Sequence, residues 1–344
     1  MRTARTLELD ALRLVVPEDG RPLGGGTTTL VYDPAEQRVV RQFLSLTGTS
    51  TNCAGGITPW GSWLSCEEAS TRAGEGVHHD HGWVFEVPSR ATSLVEPVPL
   101  TAMGRFEHEA ACVDPRTGYV YMTEDRDDSL IYRFVPNTPG RLAEGGRLSA
   151  LAIAGRPGAD LRNWSEPFWR ERQQRLLRWV PLDNVDSPND DLRARGHAAG
   201  AALVARGEGI TWGDGDLYVT CTSGGARRFG QIIRVIPGVG DDPCHAELFF
   251  ESDDDAVYDY GDNLTVAPWG HLLVCEDRYS EEKNHLRGIT PDGEAYTIAR
   301  VAHADNGELA GVCVSPDGST VFVNIQDPGY TLAITGPWRS PASS

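Results

Sequence analysis

The fold is indicated most clearly by the stretch Pro59-Trp60-Gly61-Ser62-Trp63-Leu64-Ser65-Cys66-Glu67-Glu68, because a second copy of it occurs later in the chain. It aligns without a gap on Pro268-Trp269-Gly270-His271-Leu272-Leu273-Val274-Cys275-Glu276-Asp277, and Pro, Trp, Gly, Leu, Cys and Glu recur in register. Each copy combines a turn, a short apolar strand and an acidic pair. A chain that repeats such a unit builds its core from stacked copies of one small structure.

Three looser copies keep the same order of turn, strand and polar pair, and they are Asp114–Asp125, Gly213–Cys221 and Ser315–Asp327. Each copy predicts a β-hairpin, which cannot bury its apolar faces alone. Hairpins repeated about fifty residues apart are typical of a β-propeller. The spacing widens to 97 positions between Glu124 and Cys221. We expect an interrupted blade there, so the sequence predicts about six blades.

The segment 136–205 departs from the repeat and is predicted to be a partly helical insertion carried by one blade. Its pattern predicts strands over Arg147–Ala154 and Arg178–Leu182. Its composition predicts helical turns over Pro167–Leu177 and Asp190–Ala205.

The two ends of the chain are predicted to close the ring. N-terminal strands over Thr27–Tyr32 and Arg38–Leu44 should pair with the last blade around Tyr330–Ile334, which would remove the open edges. No stretch rich in proline, glycine or serine divides the chain. We therefore predict an all-β fold, a β-propeller of six blades that forms a single domain over residues 1–344.

The composition limits the partners of the protein. The chain carries 31 Lys and Arg against 49 Asp and Glu, a formal net charge of −18. Nucleic acids and anionic membranes attract cationic surfaces, so neither is an expected partner. No apolar stretch reaches the roughly 18 residues of a membrane span, and Met1–Glu8 carries no apolar signal core. The chain as written is expected in the cytoplasm, or outside it if a leader has been removed.

Polar residues recur at equivalent places in the repeats, at the start of each inner strand and at the end of the strand that returns. The strand starts carry Asn52-Cys53, Glu107-His108-Glu109, Glu208, Asp262-Asn263 and Glu308. The strand ends carry Glu67-Glu68, Glu124-Asp125, Glu276-Asp277 and Asp327. A strand, a turn and a returning strand separate the two sets, so both are predicted at one mouth of the propeller.

Carboxylates that converge on one axis repel one another unless cations bind between them. Oxygen ligands favour hard ions such as calcium, and a thiolate at Cys53 would favour a transition metal beside them. Glu107 and Glu109 lie on one face of their strand and His108 on the other, so the two carboxylates are a candidate pair for bridging metals. The sequence therefore predicts an axial metal site.

Other interpretations of these residues stay open at this stage. Acidic residues at strand ends are also common turn formers, and Cys53 taken alone is as consistent with a packed thiol. Arg206 is a candidate ligand for a tetrahedral oxyanion, or else the partner of a neighbouring carboxylate. The sequence does not say which member of each acidic pair faces the axis, because a slip of one residue reverses the faces.

Several motifs together resemble the PhoX-type alkaline phosphatases, and they are Thr51–Glu68, Gly104–Ala110, Gly118–Asp125, Tyr132–Pro136, Arg206–Gly209 and Phe322–Gly329. The resemblance implies a six-bladed propeller that holds iron and calcium at its axial mouth and hydrolyses small phosphate monoesters. It implies an iron ligand at Cys53 and a phosphate ligand at Arg206, which is the candidate catalytic residue. The remaining candidate metal ligands are Glu67, Glu107, Glu109, Glu124, Glu208, Glu276 and Glu308.

Two other functions remain alternatives. A calcium-dependent, lactonase-like propeller also uses axial carboxylates, although it would have little use for Cys53 or Arg206. A propeller scaffold without catalytic activity would hold its ions only for stability.

Overall fold

The computed structural model describes residues 23–239, 242–278, 283–303 and 306–338. The described part of the chain begins with a hairpin of two strands, β1 (Gly25–Asp33) and β2 (Arg38–Thr49). The first blade then consists of β3 (Asn52–Ile57), β4 (Ser62–Glu67) and β5 (Val84–Pro88). A 3-10 helix over Thr101–Met103 leads into the second blade.

The second blade contains β6 (His108–Val113), β7 (Val120–Glu124), β8 (Tyr132–Pro136) and β9 (Gly146–Ile153), with a 3-10 helix over Leu142–Glu144. Strand β10 (Gln174–Pro181) and helix α1 (Leu192–Ala198) follow. The third blade contains β11 (Gly207–Trp212), β12 (Leu217–Cys221), β13 (Gln231–Ile236) and β14 (His245–Glu251).

The last two blades complete the described chain. The fourth contains β15 (Gly261–Val266), β16 (Leu272–Glu276), β17 (His285–Ile289) and β18 (Ala295–Arg300). The fifth contains β19 (Leu309–Val314), β20 (Thr320–Ile325) and β21 (Tyr330–Thr335). The two copies of the opening motif thus form β4 and β16, the second strands of their blades, as the alignment predicts.

The blades follow one another around an axis. The first strands of successive blades, β3, β6, β11, β15 and β19, pack side by side in chain order. The apolar cores lie between the faces of neighbouring blades: Leu64 and Met122 belong to the core between the first two blades, and Leu273 and Val321 to the core between the last two. This arrangement is a β-propeller and confirms the predicted all-β class.

The N-terminal hairpin lies between the fifth blade and the first. On one side Tyr32 packs edge-on against Phe322 of β20, with ring centroids 5.1 Å apart. On the other, Leu46 belongs to an apolar cluster with Phe85 of β5. The expected ladder to Tyr330–Ile334 is not formed, since β1 pairs with β2 and β21 pairs with β20. The number of six blades stays a prediction, because the described residues place only this hairpin between those two blades.

The structure corrects two expectations about the segment 136–205. The long interval between Glu124 and Cys221 holds no further blade. Strand β10 instead joins the outer edges of the second and third blades, through pairs such as Trp179 with Leu151 and Arg175 with Ala246. The helical turns predicted over 167–177 are therefore wrong, since residues 174–177 belong to β10 and residues 167–173 contain no helix. The edge strands β9 and β14 would leave backbone groups unpaired without β10. Pairing with them therefore outweighs the helix propensity of Gln174-Arg175-Leu176-Leu177.

Helical structure in this segment is confined to α1 and one 3-10 turn. The strand predictions at 147–154 and 178–182 are confirmed within a few residues by β9 and β10. No helix in the described residues is long and apolar enough to cross a bilayer.

Candidate metal centre

A β-bulge recurs in the inner hairpin of all five blades, and in four of them it lies at the start of the inner strand, where it positions the candidate ligands. In the first blade Asn52 pairs with Glu67 and Gly55 with Ser65, so two residues of β3 face a single residue of β4. The same slip occurs at the starts of β6, β11 and β15. A bulge turns a side chain out of the normal alternation. The first residues of these four bulges are Cys53, Glu109, Glu208 and Asp262.

These four side chains meet at the axis, together with one residue from the end of β4. Ligand atoms of Cys53, Glu68 and Glu109 lie within 4.8 Å of one another, and so do those of Glu109, Glu208 and Asp262. The two groups share Glu109, whose Oε1 accepts a hydrogen bond from the Cys53 thiol at 3.1 Å. We call these five residues the axial cluster. The sequence predictions at Cys53, Glu109 and Glu208 thus fall within it.

Close approach of the inner strands makes this convergence possible. A Cβ atom at Gly56 would lie 1.7 Å from the carbonyl oxygen of Ala111 on the next blade, and one at Gly209 would lie 2.8 Å from the Cα of Asn263. Only glycine allows neighbouring backbones to approach so closely.

The first member of each acidic pair points away from the axis. The Glu67 carboxylate accepts hydrogen bonds from the backbone N–H groups of Ser50 (2.8 Å) and Gly82 (2.7 Å), and His81 Nδ1 lies 2.8 Å from it. Glu67, Glu124 and Glu276 are all fully buried. Their carboxylates therefore stabilise the blades, and the structure does not bring them into the axial cluster.

Glu124 and Glu276 are anchored in the same way. Tyr132 donates to Glu124 (2.6 Å), and Arg193 of α1 lies 3.4 Å from it. Glu276 accepts from Arg287 Nε at 2.6 Å and lies 2.9 Å from Nδ1 of His285.

The second members face the mouth. Glu68 belongs to the axial cluster, and Asp125 binds the guanidinium of Arg206. In addition to burial, the charge of Asp277 raises the pKa of Asp262 and that of Glu308. Adjacent residues of a strand lie on opposite faces, which explains why one member of each pair is structural and the other axial.

Arg206 lies at the edge of the cluster and binds two carboxylates. Its Nε and Nη2 atoms donate to the two oxygens of Asp125 at 2.8 and 2.9 Å, and Nη2 also donates to Glu208 Oε1 at 2.9 Å. Its backbone is in the left-handed region, with φ of 50°, a strained conformation that is common at functional sites. Of the two interpretations of Arg206, the structure shows the carboxylate partner.

Glu107 and Glu308 lie beside the cluster. Glu107 is bound to Arg126, so the predicted pair of Glu107 and Glu109 is split. Glu308 forms a hydrogen bond with Asp262. Burial, reinforced by the charge of Asp277, raises the pKa of Glu308 to about 7.

The electrostatics of the axial cluster favour bound cations. Burial raises the pKa of Glu109, Glu208 and Asp262 well above the usual range, and the mutual repulsion of their carboxylates adds to it. Burial and the charges of Glu109 and Glu68 likewise raise the pKa of the Cys53 thiol. Asp262 Oδ1 is buried without a hydrogen-bond partner among the described residues. A cation would satisfy this oxygen and offset the repulsion.

Two threonines hold the cluster in place and were missed by sequence reasoning. Each lies opposite a bulge and reaches the next blade: the Thr123 hydroxyl donates to the carbonyl of Glu208, and Thr220 Oγ1 donates to the carbonyl of Asp262 at 2.6 Å. Thr123 and Thr220 occupy the same position in two copies of the repeat, and this recurrence could have identified them from the sequence. These bonds fix the backbone at two ligands, as outer residues of metal sites commonly do.

The fold and the site together define a β-propeller with a candidate metal centre of four carboxylates and one thiol on its axis. The family model for alkaline phosphatase PhoX matches residues 14–329, nearly the whole chain, and the protein belongs to this family. Among curated proteins no sequence matches.

Solved structures similar to this chain are also propellers. A gluconolactonase from Xanthomonas campestris is 13% identical with a TM-score of 0.46, over 90% of this chain and 80% of that one. The WD40 β-propeller domain of Doa1 is 12% identical with a TM-score of 0.45, over 94% and 89% of the two chains. The periplasmic gluconolactonase PpgL of Pseudomonas aeruginosa is 14% identical with a TM-score of 0.45, over 93% and 76%. Similarity this low carries no argument about activity.

Proposed function

We propose that this protein is a metal-dependent phosphatase that hydrolyses small phosphate monoesters at the axial cluster. The observation that carries the proposal is the repeated bulge, which aims one ligand from each of four blades at one point. Membership of the phosphatase family supports the same reaction.

The donor atoms divide into two kinds, which fits two kinds of cation. Cys53, Glu68 and Glu109 combine a thiol with carboxylates, a donor set that suits a transition metal such as iron. Glu109, Glu208 and Asp262 offer only oxygen, which suits calcium. Bound iron and calcium would supply Lewis acidity towards the phosphoryl oxygens.

The protein residues contribute charge and orientation. Without cations the mouth offers a phosphate monoester only acidic groups and an arginine that two carboxylates already bind, so cation binding decides whether the substrate binds. Arg206 stands beside the cluster, fixed by Asp125 and Glu208. A guanidinium held in advance at this place can neutralise charge that develops on the equatorial oxygens without reorganising first.

The purified protein tests the proposal through its metal content and its substrate. We expect iron and calcium in elemental analysis and hydrolysis of p-nitrophenyl phosphate. The Glu109→Gln variant should lose both metals, because Glu109 belongs to both groups. Glu294→Gln is the matched control, since Glu294 is exposed in the turn between β17 and β18.

The alternatives predict different results. A lactonase would hydrolyse a lactone and ignore p-nitrophenyl phosphate, and it would retain activity with calcium alone. A scaffold would hydrolyse neither substrate, while chelation would still lower its stability. A protein free of iron that leaves phosphate esters intact would overturn the phosphatase proposal.

A further inference from the structure

The loop 222–230, which follows β12, borders the axial cluster on two sides. At its start the backbone N–H of Thr222 donates to the carbonyl of Arg206 (3.0 Å). Near its end the carbonyl of Phe229 accepts from the N–H of Tyr260 (2.9 Å). Arg206 and Tyr260 each precede a member of the cluster by two residues. The loop therefore forms part of the rim of the mouth.

Two arginines lie over the ring of one tryptophan on this rim. The guanidinium of Arg162 lies 4.2 Å from the centre of the Trp164 ring, and that of Arg228 lies 4.1 Å from it. The indole N–H donates to the carbonyl of Ser223 at 2.6 Å, which ties the stack to the loop. Trp164 also lines a cavity of about 690 Å³, so the tryptophan of the stack borders open space.

The charges on the loop are only partly neutralised. Arg162 binds both oxygens of Asp160. Arg227 lies over the ring of Phe229 at 5.4 Å, and within the described residues neither Arg227 nor Arg228 forms an ion pair. Both arginines are exposed. Two arginines without acidic partners are unexpected in a chain of net charge −18.

Two carboxylates contact this loop, Asp127 through the hydroxyl of Ser223 (3.4 Å) and Glu251. Glu251 accepts hydrogen bonds from the amides of Asn163 and Gln231, each at 2.7 Å, and from the backbone N–H of Ala226 at 3.3 Å. The backbone of Arg228 is left-handed, with φ of 59°, which costs about 1 kcal/mol and persists where the surroundings impose it. The loop thus presents two cations in a fixed place.

We infer that Arg227 and Arg228 form a second anion subsite at the rim of the mouth, and that the protein prefers phosphate monoesters whose alcohol part carries a further anionic group. A guanidinium stacked on an aromatic face keeps its N–H edge available for a carboxylate or a second phosphate. The inference rests on the proposed phosphatase function, since the first phosphate would occupy the axial cluster.

Binding of two phosphonates that cannot be hydrolysed tests this subsite. The protein as purified, with its metals, is titrated calorimetrically with 4-carboxyphenylphosphonate and with phenylphosphonate. We expect the carboxylate compound to bind roughly tenfold more tightly, in the range of a charge-assisted hydrogen bond. The double variant R227Q/R228Q should reduce this ratio to near one. R147Q, which removes an exposed arginine at the start of β9, should keep it.

The outcomes separate this inference from the proposed function. Equal binding of the two phosphonates, or a ratio that survives R227Q/R228Q, overturns the rim subsite alone. Failure of the wild-type protein to bind either compound overturns the phosphatase proposal as well. Should the double variant fail to fold, the single variants R227Q and R228Q provide the same comparison, and a loss of the ratio in either supports the subsite.

Discussion

Cys53 and Glu109 lie on neighbouring inner strands, and the thiol donates to the Glu109 carboxylate across 3.1 Å although 56 positions separate them in the chain. Cys53 as a residue remains partly exposed, whereas Glu109 is almost fully buried. When a cation displaces their protons, a thiol and a buried carboxylate that are in contact can both bind it as ligands.

This contact predicts that the Cys53→Ser variant loses iron and retains most of its calcium, because Cys53 lies outside the all-oxygen group. Absorbance in the visible range from an iron–thiolate bond should disappear with it. Cys313→Ser is the control, since Cys313 is also exposed and lies in neither group. Equal iron content in Cys53→Ser and wild-type protein would contradict the assignment of the thiol.

Glu67 and Glu68 point to opposite sides of their strand, so we predict that variants of the two residues differ in stability and in metal binding. Glu67→Gln replaces a fully buried carboxylate that accepts several hydrogen bonds with an amide, so the free energy of unfolding should fall by about 3 kcal/mol. Glu68→Gln removes a charge from the crowded axial cluster, so the metal-free protein should be at least as stable as wild type but should bind metal more weakly. Denaturant unfolding and elemental analysis measure the two effects. The assignment is wrong if Glu67→Gln is the variant that loses metal.

Thr220 is predicted to act as a positioning residue. Thr220→Val keeps the shape of the side chain and removes the donor to the Asp262 carbonyl, which should cost about 1–2 kcal/mol in stability and weaken metal binding roughly tenfold. Thr331→Val, on an exposed edge strand, should change neither quantity. A competitive chelator titration gives the metal affinity. Unchanged affinity in Thr220→Val would leave the hydroxyl with a structural role only.

The stability of the metal-free protein should fall as the pH rises. The pKa of Glu308 is raised to about 7 in the folded protein, and those of Glu109, Glu208 and Asp262 are raised further. Between pH 4.5 and 7 the folded state therefore retains protons that the unfolded chain releases. The contribution of these groups to the free energy of unfolding is therefore present at low pH. It is lost as the pH rises through this window, by about 1 kcal/mol or more for each group.

Calorimetric unfolding at about pH 5.5, inside this window, and at about pH 8, above it, checks this prediction. The chelated protein should be the less stable at the higher pH, whereas protein reloaded with calcium and iron should not lose stability there, because the cations take the place of the protons. Higher stability of the chelated protein at pH 8 would contradict the raised pKa values.

Arg206→Lys tests the orientation of the guanidinium. Lysine keeps the positive charge but cannot bind both oxygens of Asp125, so we expect kcat/KM for p-nitrophenyl phosphate to fall about 100-fold. Arg116→Lys is the matched control, since Arg116 binds Asp114 through the same two nitrogens in the turn after β6, at the far end of the blade. A fall of equal size in both variants would indicate a general effect on folding.

The class of fold and part of the site could be predicted from the sequence alone. The duplicated stretch at Pro59 and Pro268 predicts hairpins that must stack, because each hairpin is too small to bury its own apolar faces. Equivalent positions in the repeat also identified Cys53, Glu109 and Glu208. The location of the protein in the cytoplasm stays a prediction.

Which carboxylates meet at the axis could be established only from the folded structure. Glu67 and Glu68 differ by one position, and the face of each depends on a register that a single bulge shifts. The role of β10 also depended on its surroundings, since it pairs with sheet edges more than twenty residues away in the chain. Side-chain direction and the pairing of edge strands depend on contacts between segments that are distant in the chain. A local pattern of residues therefore does not predict them.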